Sequence, residues 1–424
     1  IYGTGGSGKS VALRTIAASA GLATHGGPVH VYGLDFGSGG LRMLEDLPHV
    51  GAVISGDDTE RIVRLFRMLR EQLDRRERQY GDASATSATE FRQLPGRTSE
   101  SRIVLLIDNF PSFRDEWEIP SGRNEWYRVF TEIIGNGRQL GVHVVFTADR
   151  PGSVPSSVTS GVQRRVVLRL ADEMGYAVLD APNDVLTEAS PAGRALVSGN
   201  ETQLAVLGGS SVAAEQSEAM TRLAADMRTA GAVPAPGIPS LPAIVPVEDL
   251  PQAPGAPLVL GLAEETLEPF ELEPAGAFAL AGPPGSGRSS ALRVIAERLF
   301  ERGDMPVYYI GNKRSALASD IRFAARATTI EDVTDLAKLV REIVIDEDAT
   351  SRVAVIIEQL GDFLQSSADA PLVDLVRAIK REDHFAVAEA ESSSWVTSWP
   401  LFGEFKSARR GLILQPDSTD GDVI

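Results

Sequence analysis

The sequence contains no cysteine and only five histidines in 424 residues. Disulfide bonds, zinc–thiolate sites and cysteine nucleophiles are therefore excluded, and a transition-metal site is not indicated. Long apolar runs are missing as well: no stretch of 18 apolar residues occurs, whereas a bilayer-spanning helix needs about 20. With 43% hydrophobic and 23% charged residues, the composition is that of a globular protein with large cores.

Positive charge is scarce, because 41 Lys and Arg residues face 58 Asp and Glu residues, for a net charge of −17. Proteins that bind nucleic acid usually carry a basic patch or stripe. The basic clusters here are short, and each is expected to be a solvated helix face or a subunit contact: Arg75–Arg78, Arg164–Arg165 and Arg409–Arg410. Nucleic acid is therefore disfavoured as a partner, although a ring-shaped assembly could still enclose a basic pore.

A complete phosphate-binding loop, G-x-x-x-x-G-K-[ST], stands near the start of the chain. Its residues are Gly3, Thr4, Gly5, Gly6, Ser7, Gly8, Lys9 and Ser10, followed by Val11 in an apolar helical run. In such a loop the glycines let backbone N–H groups point at phosphates, Lys9 reaches the terminal phosphates, and Ser10 offers its hydroxyl to Mg²⁺. A mere glycine turn would not account for the helical run. The sequence therefore predicts that this loop binds ATP with Mg²⁺.

A second copy of the loop differs at one position. Its residues are Gly282, Pro283, Pro284, Gly285, Ser286, Gly287, Arg288 and Ser289, followed by Ser290. Arg288 keeps the positive charge of the expected lysine, but its guanidinium is bulkier. Because most phosphate contacts in such loops come from backbone N–H groups, the copy is expected to bind ATP as well, with Ser289 as a metal ligand.

Each loop opens a similar series of apolar strands and amphipathic helices, which predicts an α/β fold. We expect two tandem P-loop (RecA-like) NTPase domains, each a doubly wound, mainly parallel sheet flanked by helices. The domains span 1–229 and 258–424 and are joined by a Pro-rich linker, 230–257. A polar stretch, 80–101, is predicted to be a surface loop. Both ends are expected to be truncated, because no complete strand precedes the first loop and residues 420–424 form no closing element.

Acids at strand ends indicate how each site could hold a metal ion. Asp108 follows the apolar strand 103–107 and is the predicted Mg²⁺-holding acid of the first site, and Glu358 has this place in the second. The next positions, where a motor ATPase carries a glutamate base, are Asn109 and Gln359. An amide cannot take a proton at neutral pH, and loss of a positioned base typically costs ~10²–10⁴ in rate. Slow hydrolysis is therefore expected.

ATPases that form rings complete their sites with an arginine from the neighbouring subunit. Arg138 is the preferred candidate for this catalytic role, with Arg150 and Arg165 as alternatives. Each of these side chains could instead form a surface ion pair of little energetic value.

The segment from Gly137 to Pro151, GRQLGVHVVFTADRP, resembles the G-R-x-x-G-[IV]-H…T-x-R-P segment of FtsK/SpoIIIE-type ATPases. The match continues through Gln163–Val166, Leu179–Asp180 and Pro191–Ala195. More narrowly, three further segments are similar to the EccC/EssC component of type VII (ESX) secretion systems: Leu34–Leu41, Leu47–Gly51 and Asp57–Arg61. The resemblance covers essentially the whole chain, as the second and third ATPase domains of such a protein.

The resemblance implies a motor at the cytoplasmic face of the cell membrane, anchored through parts outside this chain. Its partners would be secreted helical-hairpin substrates bound by their C-terminal tails, other domains of the machine, and further copies in a hexameric ring. In this family the first ATPase domain is the competent one and the last holds the tail pocket. Asn109, Arg288, Glu358 and Gln359 depart from the active pattern, which agrees with distal domains that bind ATP structurally.

Two other functions remain open from the sequence. An FtsK-like DNA translocase would share the same motifs, but it would show DNA-stimulated hydrolysis with steep salt dependence. A purely structural ring subunit would need neither loop, so loss of Lys9 would leave it unaffected.

Overall fold

Parallel strands form the centre of each of the two units into which the chain divides, Ile1–Ser240 and Leu241–Ile424. The computed structural model describes residues 1–22, 28–346 and 351–416. The predicted truncation at residues 420–424 lies outside the described residues. Within the described part of the chain, no helix is both long and apolar enough to cross a bilayer.

The first unit contains a parallel sheet of order β2-β1-β3-β4 and a small antiparallel sheet, β5-β6-β7. The strands are β1 Val29–Asp35, β2 Val50–Ser55, β3 Arg102–Asp108, β4 Val142–Phe146, β5 Val166–Leu168, β6 Arg194–Val197 and β7 Asn200–Gln203. The helices are α1 Lys9–Leu22, α2 Thr59–Asp82, α3 Ala88–Gln93, α4 Phe110–Trp117, α5 Asn124–Asn136, α6 Ser156–Thr159, α7 Glu173–Val178 and α8 Ala213–Thr229.

The second unit has one parallel sheet of order β12-β11-β13-β14-β10-β15 and a hairpin, β8-β9. The strands are β8 Leu258–Leu262, β9 Pro269–Leu272, β10 Gly276–Gly282, β11 Val307–Ile310, β12 Ala325–Ala327, β13 Ala354–Ile357, β14 Phe385–Glu391 and β15 Gly411–Ile413. The helices are α9 Arg288–Arg302, α10 Ile330–Val344, α11 Asp369–Arg381, α12 Ser392–Trp395 and α13 Pro400–Lys406. The sequence pattern of 257–262 and 269–272 predicts a hairpin at the start of this unit, and β8 and β9 form it.

The two units have the same strand order when Tyr2 is counted as a strand position of the first unit. This residue makes parallel bridges to Ala148, just after β4, and to Val167 in β5. In the second unit β10 lies in the same way between β14 and β15. Tyr2 therefore takes the place of β10, and each phosphate-binding loop follows an interior strand position, next to the last strand of the order.

Apolar side chains cover both faces of each sheet, as a doubly wound fold requires. Along β1, Val31 belongs to a cluster with Leu13 of α1, whereas Tyr32 and Leu34 belong to a cluster with Phe66 of α2. The helix α2 begins where the Asp58 carboxylate accepts a hydrogen bond from the backbone N–H of Arg61, at 3.1 Å. Its apolar residues recur three or four positions apart, so that one stripe is buried.

The polar stretch 80–101 is not simply a surface loop, which corrects the sequence prediction. It contains α3, whose Phe91 packs on Tyr80 with ring centroids 4.4 Å apart, and both side chains are buried. Glu100 of the same stretch lies 3.0 Å from the guanidinium of Arg76. Arg76 is fully buried and donates to the carbonyls of Leu140 and Ser101, so it does not belong to a solvated helix face. The stretch is a small second layer packed on α2.

The Pro-rich linker is docked in two pieces, one on each unit. On the first unit, Ile238 is buried in the core and its carbonyl accepts from Arg61 at 2.7 Å, while the carbonyl of Pro236 accepts from Tyr32. On the second unit, the Arg298 guanidinium donates to the carbonyls of Val247 and Leu250. Proline leaves few backbone donors in this segment, and its carbonyls are bound by side chains instead.

Acid should weaken the first unit through His49. Its ring is buried and its Nε2 lies 2.8 Å from the carbonyl of Ala17, so Nε2 carries the hydrogen; Nδ1 has no partner among the described residues. Burial lowers the pKa of His49, although the bond to Ala17 opposes this. The unfolded chain then binds more protons below about pH 6.5, and the free energy of unfolding falls with decreasing pH by up to about 1.4 kcal/mol per pH unit. Urea unfolding at pH 7 and pH 5 measures this, and the slope should flatten in His49→Gln, which keeps a donor for Ala17.

Candidate nucleotide-binding sites

The first phosphate-binding loop is held in shape by its own serine and by a neighbouring turn. The Ser7 hydroxyl is buried and donates to the carbonyl of Thr4 at 2.8 Å. The backbone N–H of Gly193, in the turn before β6, donates to the carbonyl of Ser7 at 2.8 Å. Gly6 and Gly8 have φ angles of 69° and 106°, so the loop bends through backbone conformations that favour glycine. The loop therefore leads directly into the N-terminus of α1, where anions are favoured.

Lys9 points back over the loop. Its ammonium donates to the carbonyls of Gly3 and Thr4, at 2.6 and 3.0 Å, and lies 2.8 Å from a carboxylate oxygen of Asp149. The Lys9 side chain is 14% exposed and that of Asp149 is 69% exposed. Because Asp149 is exposed, this ion pair contributes little, and a phosphate could replace Asp149 as the partner of Lys9 at small cost.

The two residues predicted to hold Mg²⁺, Ser10 and Asp108, are in direct contact. Asp108 is buried at the end of β3, and one of its oxygens accepts the Ser10 hydroxyl at 2.6 Å. Its other oxygen accepts the Thr147 hydroxyl, also at 2.6 Å. Ser10 and Asp108 thus lie side by side, as they must to hold one Mg²⁺ ion directly and through water. The described residues contain no group of three or more acidic or histidine side chains that could hold a metal ion, so the remaining ligands would come from phosphate and water.

Asn109 has a structural role that the sequence did not reveal. Its backbone is left-handed, with φ of 64°, a conformation that asparagine adopts more readily than most residues. Its amide nitrogen donates to the carbonyl of Phe36 and to the hydroxyl of Ser112, at 3.0 and 2.7 Å. The side chain at the position of the usual base is therefore bound to the protein, which supports the expectation of slow hydrolysis.

A second buried carboxylate, Asp35, shapes the wall beside Asp108. It accepts backbone N–H groups from Gly37, Gly39 and Leu41 at 2.8 to 3.3 Å, and so fixes the loop after β1. Arg14 of α1 donates to the carbonyl of Gly40 in this loop. Burial lowers the pKa of Arg14, and the charges of Asp108 and Asp35 oppose that effect. Two buried carboxylates and one buried guanidinium therefore lie beside the first site.

A cavity of about 560 Å³ adjoins the first loop. This volume is within the usual range for a small-molecule site. Besides loop residues it is lined by side chains that the sequence analysis did not identify: Leu204, Val206, Gly209, Ser210, Ser211 and Gln216. All except Gln216, which lies in α8, belong to the stretch between β7 and α8, and none carries a phosphate-binding motif. Arg169 was also missed; its guanidinium lies against the carbonyls of Gly6 and Ser190.

Gly8 and Gly5 offer a matched pair of substitutions in this loop. A Cβ on Gly8 would lie 2.9 Å from the backbone nitrogen of Gly193, and its φ of 106° is unfavourable for alanine, whereas a Cβ on Gly5 meets no atom within 4 Å. We expect Gly8→Ala to lower the free energy of unfolding of the first unit by about 1–3 kcal/mol. Gly5→Ala should change it by less than about 0.5 kcal/mol. Thermal unfolding of both variants checks this, and equal stabilities would contradict it.

The second loop resembles the first in the contact that its cation makes, but several of its side chains differ. Arg288 donates to the carbonyl of Gly282 at 2.8 Å, as Lys9 does to that of Gly3. Glu358 is buried at the end of β13, but it accepts from the Tyr309 hydroxyl, at 2.5 Å. Ser289 and Ser290 are exposed at the start of α9. The predicted residues are thus brought to one edge of the sheet, yet the partners of the acid differ from those in the first unit.

The arginine candidates lie in different places. Arg138 donates to Gln163 at 2.5 Å and, together with Arg165, lines a cavity that shares no residue with the one beside the first loop. Arg150 lines a smaller cavity of about 280 Å³ together with Thr4 and Gly5 of the loop. Arg138 therefore does not reach the first site of its own unit, and its proposed role toward a neighbouring subunit stays a prediction.

The FtsK/SpoIIIE family model matches residues 1–194. This part of the chain belongs to the FtsK/SpoIIIE family. Both members of the predicted Mg²⁺ pair, Ser10 and Asp108, lie within this FtsK/SpoIIIE domain, and nucleotide binding is a property of that family of P-loop ATPases.

Curated relatives of the FtsK/SpoIIIE domain and its neighbour are proteins of ESX secretion systems. The ESX-3 secretion system protein EccC3 of Mycobacterium tuberculosis is 31% identical over 342 residues, covering 76% of this chain and 24% of the relative. The ESX secretion system protein EccC of Thermomonospora curvata is 28% identical over 311 residues, covering 70% and 23%. The chain thus spans about a quarter of the length of these relatives.

Solved structures confirm the fold. EccC (ATPases 2 and 3) of Thermomonospora curvata, in complex with a signal sequence peptide, matches with a TM-score of 0.72 at 22% identity, covering 99% of this chain and 81% of that one. EssC (ATPases 2 and 3) of Geobacillus thermodenitrificans matches with a TM-score of 0.79 at 19% identity, covering 98% and 83%. The predicted architecture of two tandem ATPase domains is therefore confirmed.

Proposed function

We propose that this chain is the part of a type VII secretion ATPase that binds Mg-ATP in its first unit and turns it over slowly. The observation that carries the proposal is the geometry of Lys9, Ser10 and Asp108 beside a cavity large enough for a nucleotide. The bound amide of Asn109 supports slow turnover, because no carboxylate stands there to accept a proton from water. Bound ATP would then act as a structural or regulatory ligand.

We further propose that the chain recruits secreted helical-hairpin substrates by their C-terminal tails, through its second unit. The support is the similarity over nearly its full length to a two-ATPase EccC fragment whose structure contains a signal sequence peptide. The acidic charge of the chain favours a protein substrate over a nucleic acid. Its place would be the cytoplasmic side of the cell membrane, with other domains and copies of the machine as partners.

Calorimetry and peptide binding test these proposals on the purified chain. Mg-ATP should bind with a measurable heat, while turnover should remain ~10²–10⁴ below that of a motor ATPase with a positioned glutamate. A labelled C-terminal tail peptide of an ESX-type substrate should raise its fluorescence anisotropy, and a scrambled peptide should not. Hydrolysis stimulated by duplex DNA at low salt would instead indicate a translocase.

A further inference from the structure

Glu389 in the second unit stands where the first unit has Thr147. In the first unit, the backbone N–H of Asn109 donates to the Thr147 hydroxyl at 2.8 Å. In the second unit, the backbone N–H of Gln359 donates to a carboxylate oxygen of Glu389, also at 2.8 Å. The backbone N–H that follows the acid at the strand end thus has an equivalent hydrogen bond in both units. Its acceptor is a neutral hydroxyl in the first unit and a carboxylate in the second. This acid lies beside the loop where phosphates would bind.

The Glu389 carboxylate is bound to the cation of its own loop. The Nε of Arg288 lies 3.1 Å from Glu389, whose side chain is only 3% exposed, and a second nitrogen of Arg288 lies 3.9 Å from Glu391. Among the residues that the structure describes, Lys9 in the first unit has only the exposed Asp149 as an acidic partner. Displacing Asp149 costs little, whereas pulling Arg288 away would leave Glu389 buried without its cation, which is costly.

The metal side of the second loop is altered too. Gly311 occupies the register position that Asp35 has in the first unit. Asp35 ends β1 and pairs with Asp108, and Gly311 directly follows β11, beside Glu358. Tyr309 extends toward this space, and a Cβ on Gly311 would lie 2.4 Å from its hydroxyl. That hydroxyl donates to Glu358, whereas Asp108 accepts hydrogen bonds from the hydroxyls of Ser10 and Thr147. The residues present in the second unit therefore do not fit Mg-ATP as those of the first unit do.

We propose that the ion pair between Arg288 and Glu389 takes the place of the terminal phosphates, so that the second loop is closed and does not bind Mg-ATP. A triphosphate entering the loop would meet the charge of Glu389 and lose the charge of Arg288 at the same time. The second unit then keeps its fold without a nucleotide. The proposal concerns this unit alone and does not depend on what the first unit binds.

Hydrogen–deuterium exchange tests the proposal, because it reports the two loops separately in the full chain. With about 1 mM Mg-ATP, peptides covering 282–290 should exchange as in its absence. The double variant Arg288→Lys with Glu389→Thr gives these two positions the residue types of Lys9 and Thr147 in the first unit. It should gain protection at 282–290, with an affinity increase of at least about tenfold from removal of the acid. Glu297→Gln removes one acid from α9 away from the loop, where it pairs with Arg322, and should gain nothing.

Two results would overturn the proposal. One is protection of 282–290 by Mg-ATP in the unaltered chain. The other is a double variant that unfolds at the same temperature as the unaltered chain but gains no protection. If the double variant does not fold, Glu389→Gln serves instead, since its amide oxygen still accepts from Gln359 while the charge is gone. Protection at residues 3–10 is read from the same data, so failure of ATP binding in the first unit is recognised separately.

Discussion

Lys9→Ala is expected to weaken binding of Mg-ATP to the first unit by at least about a hundredfold, or about 3 kcal/mol. The Lys9 ammonium is held above the loop by the carbonyls of Gly3 and Thr4. Its side chain is 14% exposed, so solvent screens it poorly and its attraction for phosphate is strong. Calorimetry gives the dissociation constant, and thermal unfolding without nucleotide shows whether the fold is kept.

A matched control and an independent readout follow from the sequence. Lys338→Ala removes an exposed lysine from α10 of the second unit and should leave affinity unchanged. Lys9 is the only lysine in the sequence of the first 240 residues. Its acetylation by an amine-reactive reagent is therefore easily located by mass spectrometry. Mg-ATP should slow that acetylation in the unaltered chain. An affinity of Lys9→Ala within threefold of the unaltered chain would refute the assignment of this site.

Phe113→Ala is expected to lower the free energy of unfolding of the first unit by about 3–5 kcal/mol. Phe113 is fully buried on α4, with ring centroids 5.2 Å from Phe130, 5.4 Å from Phe36 and 5.9 Å from Phe66. Truncation removes packing on all sides at once, and the surrounding rings belong to different elements, so they cannot close the cavity together. Urea unfolding measures the loss.

Ile119→Ala is the control for this prediction. Ile119 lies two residues after α4 and is 81% exposed, so its truncation should cost less than about 0.5 kcal/mol. A loss below about 1 kcal/mol in Phe113→Ala would mean that the aromatic cluster is loosely packed or collapses readily.

The strands were the most predictable part of this protein. Apolar runs predict strands at Val29–Asp35 and Val307–Ile310, and β1 and β11 have these bounds in the structure. Parallel strands buried on both faces must be apolar throughout, so that their sequence signal is strong. The sequence predicts a helix over about 124–140, but α5 ends earlier, at Asn136, since the chain turns before Gly141 to enter β4.

Features that depend on contacts distant in sequence were not predictable. The helix α3 lies in a polar stretch whose few apolar residues show no helical periodicity. Its buried side is recognised only from its packing on Tyr80. The cavity residues between β7 and α8 carry no motif because they contact the loop through the fold rather than through a sequence pattern. The role of Glu389 depends on its register beside Glu358, which requires the sheet to be known.

The docked halves of the Pro-rich segment bear on how the protein could be divided for experiments. Cutting at 229 and 258 would remove Ile238 from one half and Leu250 from the other, and both are buried. The arginines Arg61 and Arg298 would then lose the carbonyl groups that they bind. A single boundary near 240 leaves each docked piece of the Pro-rich segment on the unit that it contacts. The two units should therefore be expressed separately with this boundary.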